Sequence, residues 1–173
     1  MATTRQIRLL LLSASLSLCG CARPFVATTP AGFLELDNQG DAGFDYRATH
    51  PDGLVTSVRV IANKPQGTLA FWSRAIENQM RESHGYSLLA KRTMTSRDGT
   101  AGEQLQFGHD EGQKPHLYYL TLFADQEDIF ILEQGGDKGL VERQASALEL
   151  AVTTFSIRTG MARFFSYGGR ASD

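Results

Sequence analysis

Cysteine is nearly absent from this chain, and the two that occur, Cys19 and Cys21, both fall within its first 21 residues. Everything after them is therefore without disulfides, thiolate metal ligands or a thiol nucleophile. A stretch able to span a bilayer is also missing, because the apolar run Leu9 to Leu18 is about half of the ~20 residues required. Basic charge is not in excess: 17 Lys and Arg face 19 Asp and Glu, scattered singly along the chain. Counterion-release binding to nucleic acid needs a basic face, so a nucleic-acid partner is excluded. No Gly-x-Ser-x-Gly elbow occurs, and the stretch Gly135 to Gly139 lacks the Gly-Lys-Ser/Thr ending of a phosphate loop.

What is present begins at the N-terminus. Arg5 and Arg8 precede the apolar run, and Leu18-Cys19-Gly20-Cys21 follows it. Basic, apolar and small-residue regions in that order are the layout of an export signal. The last four residues resemble the site of lipoprotein signal peptidase, with an aliphatic residue three before the cleavage, a small one just before it and cysteine just after. Cys21 is the expected lipidation site, since its thiol can carry a thioether-linked diacylglycerol; Cys19 is poorer because bulky Leu18 precedes it. Ala22 stands where an aspartate in such proteins signals inner-membrane retention, which implies the outer membrane, facing the periplasm. Removing residues 1–20 from 173 leaves 153, enough for one domain with one core. Removing Arg5 and Arg8 from the 17 basic residues leaves 15 against 19 acids, formally −4. Residues 21–31 have the small, proline-broken composition of a lipidated tether.

Beyond the tether, Gly32–Asp37 and Asp45–Thr49 read as short strands separated by the turn formers Asn38 to Asp41, and His50-Pro51-Asp52-Gly53 as a second turn. Val55–Ala62 follows as a strand with Val58, Val60 and Ala62 on one face. Thr68 is placed to cap a helix carrying Leu69, Trp72, Ile76 and Met80 on one stripe to Ser83, with Gly85 ending it and Glu77 and Arg81 on the solvent side. Tyr86–Thr95, Thr100–Gly108, His116–Ala124 and Asp128–Gln134 then form an antiparallel meander, with connections including His109 to Lys114. Leu105 and Phe107 alternate with Gln104 and Gln106, predicting a half-exposed strand, whereas Leu117–Phe123 is apolar on both faces and interior. Gly135-Gly136-Asp137 is expected to break the sheet and start a second helix bearing Val141, Ala145, Leu148, Val152 and Phe155.

This order of elements over residues 32–157, with Asp45 to Gly53, the glycine-started strand Gly102 to Phe107 and the closing Phe155-Ser156-Ile157, resembles the PsbP-like fold, as in DcrB-type bacterial lipoproteins. Many members have an aromatic after the Pro-x-Gly turn, where this chain has Leu54. The resemblance implies an α+β domain, a three-layer α/β/α sandwich whose antiparallel sheet of about six to seven strands is flanked by two helices. It also implies partner binding with no shared enzymatic activity.

Residues bearing chemistry are few. Of His50, His84, His109 and His116, only the last two are expected to meet, at a hairpin with Asp110 and Glu111 between them, and the spacing matches no strong metal pattern. Glu127 and Asp128 read as solvated turn carboxylates. Met161, Phe164, Phe165 and Tyr167 interleave with Arg158, Arg163 and Arg170 in a C-terminal tail, 158–173, that is expected either to dock a partner or lipid headgroups or to fray. The expectation is a non-enzymatic envelope lipoprotein without cofactor or metal, held to the membrane by its anchor and binding an envelope protein partner; the alternative is a small-ligand or metal-binding lipoprotein.

Overall fold

The computed structural model describes residues 23–37 and 40–158. Cys19, Cys21, Asn38, Gln39 and the tail from 159 onward lie outside the described residues, and with them the export signal, the lipidation site and the tail reading. Seven strands form one antiparallel sheet: β2 (Leu34–Glu35), β3 (Tyr46–Thr49), β4 (Val55–Ala62), β5 (Ser87–Thr95), β6 (Ala101–Glu111), β7 (Lys114–Ala124) and β8 (Asp128–Asp137), in the order β2-β3-β4-β8-β7-β6-β5. Two further short strands, β1 (Phe25–Val26) and β9 (Ser156–Ile157), pair with each other, Phe25 opposite Ile157. Helix α1 (Leu69–Glu82) lies over β5, β6 and β7 on one face. On the other face lie α2 (Lys138–Arg143), α3 (Ala145–Thr153) and the β1–β9 ribbon. The three-layer arrangement matches the sequence expectation, with seven strands in the sheet.

Helix α1 forms where the pattern placed it. Thr68 accepts a hydrogen bond from the Phe71 amide, Ser83 closes the C-terminus and Gly85 takes φ +70°. Leu69, Trp72, Ile76 and Met80 pack on Leu105, Phe107, Leu120, Leu122 and Ile129. Glu77 departs from its expected solvent position. Its side chain is only 13% exposed and pairs with Lys91 of β5 at 2.6 Å, more closely than with Arg81 at 3.5 Å. The hydrogen bond from Lys91 holds the Glu77 carboxyl below its usual range.

The start of the helix is fixed by Asn63, which is 2% exposed. Its amide nitrogen donates to the carbonyls of Gly67 and Asp125, and its oxygen accepts from the Gly67 amide and the Trp72 indole, all within 3.1 Å. One side chain thus joins β4, α1 and the β7–β8 turn. Asn63→Ala orphans those groups and is expected to cost about 2–4 kcal/mol in urea unfolding. A loss below ~0.5 kcal/mol would show that water replaces the amide.

The expected tether is in its described part a strap on the domain. Phe25 is 1% exposed within the core, Thr29 accepts from the Tyr46 hydroxyl, Arg23 pairs with Glu35 at 2.8 Å, and the Arg158 amide donates to the Pro24 carbonyl. Phe25 reads as a linker residue because a lone aromatic between prolines has no period; its ring partners Phe130 and Phe155 lie more than 100 residues away in sequence. Several other expectations are corrected. Gly135 and Gly136 continue β8 rather than breaking the sheet, and only Asp137 begins a helix, its carboxylate accepting from the amides of Gly139 and Leu140. The second helix is two, separated at Gln144, and Ala145 is exposed while Val141, Leu148 and Val152 are buried. Ala62 is exposed at the end of β4. Residues 109–111 and 114 belong to strands, leaving a two-residue turn at Gly112 and Gln113, both at positive φ as such hairpins require. Asp128 is not a solvated turn residue: it is 2% exposed. Gln104 is 4% exposed, donating to Thr121 and accepting from Gln106, so the polar side of β6 faces the helical layer and not water. Gly102, which starts that face, abuts the Phe123 ring, where a Cβ would sit 2.5 Å from ring carbons.

Candidate functional site

Alternation along the strands decides which side chains reach the α1 face. Arg47 of β3 stands opposite Ser57 of β4, Ser57 opposite Glu133 of β8, and Glu133 opposite Leu120 of β7. The neighbouring row runs through Val55, Gly135 and Tyr118, and the row on the other side through Arg59 and Ile131. Helix α1 shelters the β5–β7 side of this face, where the rows are apolar. Over β3, β4 and β8 the face is open and polar, and there it forms a cleft of about 460 Å³ lined by residues that include Phe44, Arg47, Ser57, Tyr118 and Glu133.

Glu133 organises one wall. Its side chain is 10% exposed, and both oxygens are engaged: Oε1 accepts from Arg59 Nε at 2.7 Å and from Nη2 at 2.6 Å, and Oε2 accepts from the Tyr118 hydroxyl at 2.5 Å. A buried carboxylate is tolerable when its lone pairs are filled in this way. The bond to Glu133 raises the Arg59 guanidinium further. Burial and the adjacent Glu133 charge push the Tyr118 hydroxyl far above its ordinary 10.0. Gly135 lets the Tyr118 ring lie flat on β8, because a Cβ there would be 2.7 Å from the ring.

The other wall is built on Phe44. The guanidinium carbons of Arg47 and Arg59 lie 5.0 and 4.8 Å from its ring centroid, cation–π distances. The two arginines differ in their partners. Arg59 is neutralised by Glu133, whereas Arg47 has no ion pair among the described residues, and its Nε is buried without a hydrogen-bond acceptor.

A tyrosine whose folded pKa is raised stabilises the fold below its unfolded pKa and loses that contribution as pH rises. The native protein is therefore expected to weaken above about pH 10, the ordinary value for the Tyr118 hydroxyl. Tyr118→Phe should flatten this alkaline fall in unfolding midpoints, and an unchanged slope would place the titration elsewhere.

Sequence reasoning did not find this cleft. Its signals were single charges in apolar strands, Arg59 in Val55–Ala62 and Glu133 in Asp128–Gln134, and pairing across β4 and β8 joins them. The histidines fare differently. His109 and His116 do stand directly opposite each other, as expected, but His109 packs on Tyr86, the rings tilted by 31° at 4.8 Å between centroids. His50 accepts from the Asp52 amide within its turn and packs on Phe33, and His84 is exposed after α1. Among the described residues no three of His, Cys, Asp or Glu are grouped to hold a metal ion. No described helix is long and apolar enough to cross a membrane.

No family model and no curated protein matches this chain. Solved structures do. LpqN of Mycobacterium tuberculosis, described as involved in cell envelope biogenesis, superposes with a TM-score of 0.63 at 10% identity, over 78% of this chain and 83% of LpqN. The cyanobacterial PsbP protein CyanoP of Synechocystis sp. PCC 6803 gives 0.54 at 12% identity, covering 78% and 86%. The Ran-binding protein Mog1p of Saccharomyces cerevisiae gives 0.52 at 12% identity, covering 78% and 90%. The seven-stranded antiparallel sheet with its flanking helices is thus a PsbP/Mog1-like α+β fold.

Proposed function

We propose that this protein is a non-catalytic accessory domain of the cell envelope, anchored by lipid on Cys21, on the periplasmic face of the outer membrane, and acting by binding a protein partner. The observation that carries the reading is the export segment ending in Leu18-Cys19-Gly20-Cys21, directly ahead of a PsbP/Mog1-like domain. The envelope role given for LpqN agrees with that address. Because Phe25 is built into the core, only the stretch from Cys21 to Phe25 separates anchor from domain, a reach of about 14 Å. The β1–β9 ribbon then sits beside the headgroups, and the open cleft face is carried at a fixed height above them. Crosslinking in intact cells tests this: envelope proteins should be recovered with the native chain and lost with Cys21→Ser. Recovery of none, with a small molecule retained in native mass spectrometry, would overturn it in favour of a ligand-binding lipoprotein. That second reading is favoured by the cleft at Arg47.

A further inference from the structure

We infer that the cleft over β3, β4 and β8 is a binding site for a single carboxylate group, received by Arg47 beside the Phe44 ring. This goes beyond the envelope reading and does not depend on the anchor. Three observations converge. The cleft, of about 460 Å³, is within the range of small-ligand sites. Arg47 is the lining cation left without an acid, since the Glu133 oxygens are taken by Arg59 and Tyr118. Its Nε is also buried with no acceptor, so no group of the described residues satisfies that donor. Phe44 holds the guanidinium by a cation–π contact at 5.0 Å, so an incoming carboxylate meets a charge already placed.

The charge balance selects the class of anion. Against Arg47 the lining sets three carboxylates, Glu133, Asp52 and Asp137, the first of them paired with Arg59, so the cleft as a whole is not cationic. A dianionic phosphate meets repulsion there, whereas a monoanion needs only the one unmatched guanidinium. Ser57, opposite Arg47 in register, adds a hydroxyl on the same wall. The apolar surfaces of Phe44, Val55 and Tyr118 favour a carboxylate carried on an apolar or aromatic body. Such a group occurs on a free organic acid or at the C-terminus of a polypeptide.

Titration of the full chain in mild detergent, followed by Phe44 and Tyr118 ring resonances, tests the inference with four probes: benzoate, benzamide, an acetylated tripeptide ending in free phenylalanine, and the same tripeptide amidated. At least one of the two carboxylates should bind saturably, and its amide at least tenfold more weakly. Binding of benzoate alone identifies a free acid as the source, and tighter binding of the tripeptide a chain terminus. Arg47→Gln should lower the affinity at least tenfold, while Lys114→Gln, at the start of β7, leaves it unchanged. Equal affinity for acid and amide in the native chain, or no saturation by either acid, overturns the assignment even if Arg47→Gln fails to fold.

Discussion

Alanine at Phe155 is expected to destabilise the domain by about 3–5 kcal/mol, the range for truncating a fully buried phenylalanine. Phe155 is 0% exposed and follows α3 directly. Its ring stacks on Phe123 at 5.5 Å and 16°, meets Phe25 at 5.5 Å and Phe130 at 6.1 Å, and so joins β7, β8 and the N-terminal strap. A cavity there has three walls on separate elements, which cannot collapse inward together. Its backbone carbonyl also accepts from the Arg97 amide, tying the end of the helical layer to the β5–β6 turn. The loss should be read in urea midpoints at constant slope, and a change below ~1 kcal/mol would mean that the ring cluster is not the centre of the core.

The second large effect concerns the anchor. Each methylene placed in the bilayer contributes about 0.8 kcal/mol, so two or three acyl chains hold a protein effectively permanently whereas one is marginal. Cys21→Ser removes the thiol proposed to carry the diacylglycerol and, on that reading, the whole of that term. The variant is expected to leave the membrane pellet for the soluble fraction after carbonate washing, with the domain still folded, because Cys21 precedes the strap that begins at Arg23 and Pro24. Retention in the pellet would mean that something other than the lipid holds the chain. The same variant should leave urea unfolding unchanged, which separates loss of the anchor from loss of the fold.

Elements whose pattern is local were readable before any coordinates. Helix α1 has a cap at Thr68, a stripe of four large residues and a glycine stop, all within 18 positions, and it is found where that pattern lies. Val55–Ala62 and the β6–β7–β8 meander follow from alternation and turn chemistry in the same way. What escaped was set by partners distant in the chain. Phe25 is buried only because Phe130 and Phe155 surround it, and Gln104 is buried only because Thr121 and Gln106 satisfy its amide. Glycine at 135 and 136 ordinarily ends a strand, yet here the Tyr118 ring and Leu54 occupy the space a side chain would need. The cleft combines both difficulties. Arg47, Arg59 and Glu133 lie on three strands, and their common face appears only once β4 is known to pair with β8 rather than with the next strand in sequence.

Intact mass spectrometry of the chain purified from membranes tests the central claim most directly. The mass expected is that of residues 21–173 plus a diacylglyceryl group on the Cys21 sulfur, with or without a further acyl chain on its amino nitrogen. A chain that retains residues 1–20, or one that begins elsewhere with Cys21 unmodified, would contradict the anchor and the envelope address built on it.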